Sequence, residues 1–370
     1  MKGMYWRSSP RSVGYYLVFG IFSLFVLYLV ETCKQETVQP HFEKKLQAAK
    51  IALQAFQEIR KIRLERNKEI RSDFDPSGYG LIGEFFTPVT SNLGVLRAKQ
   101  ISINPNFAAL VLDYLIKAGV QKGDTVAVAF SGSFPALNIC VYAAAKVLDL
   151  RVVSISSLSS SQWGANDPEF LWVDMERELE KRNILPYRSL ALSLGGVEDR
   201  ALGIPKEGIS FLERAALRNS KPLLKSSSYS DSLEERRRLY ESVLPISQYK
   251  AYINVGGGTV SVGSKSGSRE FVPGLNLKLP IVSKSRDSLM KDFSKEGVPV
   301  LHLVSIESIA KENGFPTSLK EVPLPGEGKI FKDLEYNRWL VLFALVCELA
   351  LLYVFFKTDS FLEEDKDQSL

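Results

Sequence analysis

The sequence predicts an α/β protein, a mostly parallel Rossmann-like sheet domain tethered by one transmembrane helix at each end. Two observations carry this. Apolar strand-like runs alternate with helical stretches from Asn106 to Asn313, the signature of βαβ units and a sheet covered on both faces. Two apolar runs of bilayer-spanning length, Val13–Val30 and Trp339–Phe356, bracket that pattern. Backbone polar groups in hydrocarbon are satisfied only inside a helix or a closed barrel, so both runs are expected to cross as helices. The termini then share one side of a membrane and the domain lies on the other, which excludes a freely diffusing enzyme.

Residues 1–12 are expected to form a short cytoplasmic segment carrying Lys2, Arg7 and Arg11. The span at 13–30 is longer than a signal-peptide core, and Glu31-Thr32-Cys33 lacks a small-residue cleavage site, so it reads as an uncleaved anchor. A lipid-modified Cys33 is the lesser alternative, because Glu31 and Thr32 are poor neighbours for it. The basic residues ahead of the first span, against Lys34 alone after it, favour an extracytoplasmic domain. Lys329, Lys332 and Arg338 ahead of the second span, against Lys357 and Lys366 behind it, point the other way. The second span, 339–356, contains Glu348, an ionisable group that needs a partner at that depth. A helix–helix contact is expected there. Residues 357–370 form an acidic tail.

Residues 31–75 read as a basic amphipathic helical stalk. His41–Arg71 contains no Pro or Gly, and Leu46, Ala49, Leu53, Phe56, Ile59 and Ile62 recur at helical spacing. Its Lys and Arg residues outnumber its acids, which suits a solvated face or docking to head groups, a partner helix or an acidic polymer. The whole chain carries +5; setting aside +3 ahead of the first span, Glu348 and a net −3 in the tail leaves +6 on Glu31–Arg338. A basic domain beside a bilayer suits anionic partners. The three cysteines, Cys33, Cys140 and Cys347, cannot form a disulfide framework and leave the redox compartment open.

The α/β domain is expected over 76–335, opened by the turn Asp75-Pro76-Ser77-Gly78. Strands are expected at Asp124–Phe130, Arg151–Ser156, Ser189–Ser193, Ala251–Val255, Val260–Val262 and Val298–Val304. Helices are expected at Asn106–Gly119, Pro135–Leu148, Glu169–Asn183, Glu207–Asn219, Leu233–Val243 and Ile306–Asn313. Lys225–Asp231 and Gly263–Arg269 are serine-rich and read as loops.

Ligands of open parallel sheets bind where loops leave the carboxyl ends of strands. Three such loops carry the candidates. Ser131-Gly132-Ser133-Phe134-Pro135-Ala136-Leu137-Asn138 offers hydroxyls and amides at a helix start, an anion site, or a plain cap by Ser133. The second, Ser157–Pro168, holds Ser159-Ser160-Ser161, Asn166 and Asp167, able to line one pocket with the first loop or to cap a helix. In the third, Asn254-Val255-Gly256-Gly257-Gly258-Thr259, three glycines permit a close backbone approach. With Val260–Val262 as a strand, this third loop looks like the phosphate hairpin of actin-like ATPases, although Asn254 stands where that family has an aspartate. G-x-S-x-G is absent. A Ser133–His302 pair, with Ser131 as the alternative nucleophile, is the remaining hydrolase arrangement, set against His302 as a core histidine. His41, His302 and three scattered cysteines argue against a zinc site. No cofactor is assigned, and no nucleic-acid partner is expected.

Gly80-Leu81-Ile82-Gly83-Glu84, Asn104-Pro105-Asn106-Phe107, Ser131–Asn138 and Asn254–Thr259, in this order between two terminal spans, resemble the poly-gamma-glutamate system protein family. The resemblance implies a cell-membrane component beside the poly-γ-glutamate synthase, with the bilayer, the other synthase subunits and the polymer itself as partners. It implies no catalytic residues. Two functions stay open: an accessory subunit that guides the polymer or scaffolds the synthase, and an enzyme that hydrolyses or transfers γ-glutamyl chains. A nucleotide-binding membrane protein is the weaker third.

Overall fold

Seven strands form the central sheet: β1 (Thr125–Ser131), β2 (Arg151–Ser157), β3 (Ala191–Ser193), β4 (Leu223–Leu224), β5 (Tyr252–Val255), β6 (Gly274–Asn276) and β7 (Val300–Leu303). Their order is β6-β7-β5-β1-β2-β3-β4, all parallel except β6 at one edge. This is a computed structural model that describes residues 13–278, 285–318 and 322–367. Side chains alternate across the sheet, as strand geometry requires. Val126, Val128 and Phe130 join one apolar core; Ala127 and Ala129 join another with Tyr240, Tyr252 and Phe293. Both faces are therefore covered, which explains why β1 is apolar almost throughout.

The first core holds α1 (Phe42–Glu65), α2 (Leu96–Ser102), α3 (Asn106–Lys117) and α4 (Pro135–Val147). The structure corrects the stalk. Ala48, Ala49, Ala52, Ala55, Phe56, Ile59 and Ile62 of α1 are fully or nearly fully buried, and the helix packs on α3 and α4. Four alanines on that stripe let the helix backbones approach closely. Two of its cations are buried as well. Lys45 Nζ pairs with Asp113 Oδ1 at 2.8 Å and donates to the Ile330 carbonyl; Arg63 Nε donates to the Gly80 carbonyl at 3.0 Å. The basic excess is thus partly interior ion pairing. The helix ends at Glu65, and the compact unit runs over Gln39–Phe331, wider than the expected 76–335.

Helices α5 (Trp172–Lys181), α6 (Lys206–Arg218), α7 (Tyr229–Glu241), α8 (Leu289–Lys295) and α9 (Ile306–Glu312) complete the layers. Two expectations fail near the third glycine loop. Thr259–Val262 is a helical turn, not a strand, and Lys265–Glu270 is helical, not a loop. Ser264 Oγ accepts from Gly267 N and so caps the second of these, a signal carried by a serine in an apparently loop-like run.

The chain ends up to Val38 and from Lys332 form the second unit. It contains helices Val13–Thr32 and Arg338–Asp367 and an antiparallel ribbon, Gln35–Val38 with Lys332–Glu335. Ser23 Oγ donates to Glu348 Oε2 at 3.1 Å, and Tyr16 meets Phe355 edge-on at 5.9 Å. Glu348 therefore faces the other helix, as expected. Arg338–Phe355 is long and apolar enough to cross a membrane, with mean hydropathy 2.0 over 18 residues. The apolar stretch of the first helix, Tyr16–Thr32, is shorter than that, so among the described residues one span, not two, meets the length requirement. The second helix also runs on to Asp367, into the expected tail. Lys2, Arg7 and Arg11, which set the expected orientation, lie outside the described residues.

Candidate functional site

Strands β1 to β4 advance along the sheet in one direction, whereas β5 and β7 lie on the other side of β1. The loops after β1 and β5 therefore diverge, and a crevice opens at such a reversal, outside the carboxyl ends of the strands. A cavity of about 390 Å³ lies there. The end of β1 and the loop after it supply Ser131, Ser133 and Phe134; the end of β2 and the loop after it supply Ser157, Ser159 and Ser161; the loop after β5 supplies Gly257, Gly258 and Thr259. Asp199, Ser305 and the segment Ser91–Val95 are also in the wall, and Lys99 reaches in from α2.

The first two loops interlock. Ser131 Oγ donates to Ser133 Oγ at 2.9 Å, Ser133 N donates to Ser131 Oγ at 3.1 Å, and Ser161 N donates to Ser133 Oγ at 3.0 Å. Gly132 O accepts from Ala165 N at 2.8 Å. A Cβ on Gly164 would stand 2.8 Å from Ser133 Cα, so only glycine lets these backbones touch. Ser133 does not cap α4: the capping position is Phe134, without a side-chain bond, and Pro135 takes the first turn. Asn138, in that helix, donates to the Ser131 carbonyl at 3.0 Å and fixes the loop from behind.

Lys99 sits at the centre of this arrangement. Its Nζ donates to the Ser133 carbonyl and, at 2.9 Å, to Ser161 Oγ, and it lies 3.7 Å from the Phe134 ring centroid. None of these partners is charged. Burial lowers its pKa to about 7. Across the cavity, Asp199 is held by Arg236, whose Nη2 lies 2.7 Å from Asp199 Oδ2, and Asp199 Oδ1 accepts from Ser193 Oγ at 2.7 Å. Gly195, Gly196, Glu198, Asp199 and Ala201 all have positive φ. For the three non-glycine residues that is stored strain beside a cavity, a common feature of binding sites.

The other expected site residues are placed elsewhere. Asn166 brackets the Glu84 backbone, accepting from its N–H at 2.9 Å and donating to its carbonyl at 2.8 Å. Asp167 pairs with Arg63 at 3.3 Å and accepts from Glu169 N. Both are braces, and neither lines the cavity. Asn254 donates to the Gly256 carbonyl at 2.6 Å, closing the left-handed turn in which Gly256 has φ 87°. Gly257, Gly258 and Thr259 do face the cavity, but the helical turn after them removes the second strand that a phosphate hairpin needs.

His302 is fully buried in β7. Its Nδ1 meets Asn254 Nδ2 at 3.0 Å and its Nε2 faces Ser268 O at 3.2 Å and Ser268 Oγ at 3.1 Å. Both nitrogens are engaged away from Ser131 and Ser133, so the Ser133–His302 arrangement is not formed. Burial lowers the imidazole pKa to about 4. An unfolded chain binds that proton near pH 6.5, so the unfolded state holds more protons between pH 4 and 6.5, and stability should fall as pH drops through this window. We expect about 2–3 kcal/mol of acid-labile stability to disappear in His302→Gln. Urea midpoints of both proteins at pH 7 and 4.5 check this; parallel losses would refute it.

Lys99, Asp199 and Ser91–Val95 were not marked by the sequence. Gly195-Gly196, one residue past the end of β3, was the available signal for the Asp199 loop. Nothing local separates Lys99 from a surface lysine. Of the four strings that carry the family resemblance, Ser131–Asn138 and Asn254–Thr259 border the cavity. Asn106 is structural, bonding Leu324 O and Gly326 N; Gly83 packs on Gly164. No protein-family profile, curated protein or solved structure matches the chain.

Proposed function

We propose that the chain is a membrane accessory component of a poly-γ-glutamate synthesis or export system, anchored through both terminal helices, with its α/β domain handling the anionic polymer on the extracytoplasmic side. The observation that carries the membrane part is the Ser23–Glu348 hydrogen bond. Pairing of a mid-helix carboxylate with a hydroxyl of a second apolar helix suits two helices packed within lipid. Their other faces expose Leu17, Ile21, Leu24, Phe343, Val346 and Leu349. The +6 charge on Glu31–Arg338 and the sequence resemblance support the polymer part. Reporter fusions at the C-terminus and within Lys225–Asp231 should report cytoplasm and outside respectively; the reverse pattern would overturn the topology.

The Lys99–Ser161 contact favours a second reading, acyl transfer on γ-glutamyl amides. A neutral Lys99 would accept the Ser161 hydroxyl proton as the oxygen attacks the amide carbonyl and pass it to the departing amine as the C–N bond breaks, and the γ-glutamyl ester left on Ser161 would pass to water or a second amine. Polymer yield and chain length in cells carrying Ser161→Ala at matched protein level separate the two. The accessory reading expects little change in chain length. Complete loss of processing with an intact fold would establish the enzyme.

A further inference from the structure

We infer that the cavity at the carboxyl edge of the sheet binds a carboxylate, with Lys99 as its counter-ion. Lys99 is 4% exposed, and no carboxylate pairs with it among the described residues. Its contacts are a backbone carbonyl, one hydroxyl and an aromatic face. A buried ammonium without a counter-ion is held at a cost that an entering anion removes. Asp199, the other charged side chain of the wall, is already neutralised by Arg236, so Lys99 sets the charge of the space.

The neutral donors agree with this. Ser159 is 2% exposed and its Oγ has no hydrogen-bond partner among the described residues. A Cβ on Gly195 would stand 2.5 Å from that oxygen, so a glycine there leaves it room. Ser133 Oγ accepts from both Ser131 Oγ and Ser161 N, which leaves its own proton for a ligand. Among the described residues nothing beyond the chain neighbours stands within 4 Å of where a Cβ on Gly257 or Gly258 would be, so the backbone there borders open space. One cation among several hydroxyls matches one negative charge with two acceptor oxygens; a phosphate dianion would need more positive charge. Choosing a γ-glutamyl unit as the natural carboxylate rests on the polymer reading above. The carboxylate site itself does not.

Binding should be coupled to protonation of Lys99. With a free pKa of about 7, half of the lysine is charged at pH 7 and roughly 1% at pH 9, so affinity for an anion should fall about fifty-fold across that range. The test uses the full chain in detergent micelles, titrated calorimetrically with L-glutamate, a γ-glutamyl oligomer and inorganic phosphate. We expect glutamate to bind, to weaken about fifty-fold from pH 7 to 9, and to lose at least about tenfold in Lys99→Met. In the unmutated protein labelled at lysine Nζ, one resonance should titrate near pH 7 and move upward with glutamate. That readout decides the matter if Lys99→Met does not fold. Absence of glutamate binding, a flat pH dependence with an unshifted resonance, or tighter binding of phosphate would each overturn the inference. Binding of glutamate without binding of the oligomer would support the carboxylate site and remove the polymer reading.

Discussion

Phe56→Ala is expected to destabilise Gln39–Phe331 by about 3–5 kcal/mol. Phe56 is fully buried on α1, its ring 5.8 Å from that of Tyr79, within the core that also contains α3, α4 and one face of β1. Truncation removes the transfer free energy of the ring and leaves a cavity that the flanking alanines cannot fill, since Ala52, Ala55 and Ala49 carry only a methyl group each. A loss of that size is a large share of the stability of an ordinary domain. Denaturant midpoints of the detergent-solubilised chain would show it, with exposed Gln54→Ala as a control expected within about 0.5 kcal/mol. A solvated stalk would respond to both changes alike and weakly, so equal midpoints would return α1 to solvent.

The same helix shows where the sequence was legible and where it was not. Its helical period was plain, because Ala49, Phe56, Ile59 and Ile62 fall on one face whatever that face meets. What it meets was not, because Lys45 and Arg63 look like solvent-facing cations until their partners, Asp113 and the Gly80 carbonyl, come together from distant sequence. The parallel core was legible for a related reason. Strands β1, β5 and β7 are buried on both faces and so read as short, mostly apolar runs, whereas β4 and β6 are two or three residues long and carry no period. At the site, Ser131, Ser133 and Gly257–Thr259 could be placed because they directly follow strands. Asn166 and Asp167 follow a strand too, but turn back to brace Glu84 and Arg63, a choice made by residues some eighty to a hundred positions away. Lys99 lies before the first strand of the central sheet, where no rule about strand ends reaches it.

Arg236→Met should be about as damaging as Phe56→Ala, for an electrostatic reason. Arg236, on α7, is 3% exposed; its Nε donates to Asp199 Oδ2 at 2.8 Å and its Nη2 to Ser193 Oγ at 2.6 Å. Methionine keeps most of the volume but leaves the Asp199 carboxylate buried with Ser193 as its one remaining donor in the trio. Removing one partner of a buried ion pair costs about 3–5 kcal/mol, largely the penalty of the charge left behind. One consequence separates this from lost packing. The double variant Arg236→Met/Asp199→Asn, which removes both charges, should recover much of the loss, giving a coupling energy that simple additivity does not allow. Denaturant midpoints at pH 7 for the parent, both single variants and the double variant measure each term. If the double variant is as unstable as the sum of its parts, Asp199 is not held by Arg236, its charge is open to the cavity, and Lys99 no longer sets the sign of the ligand.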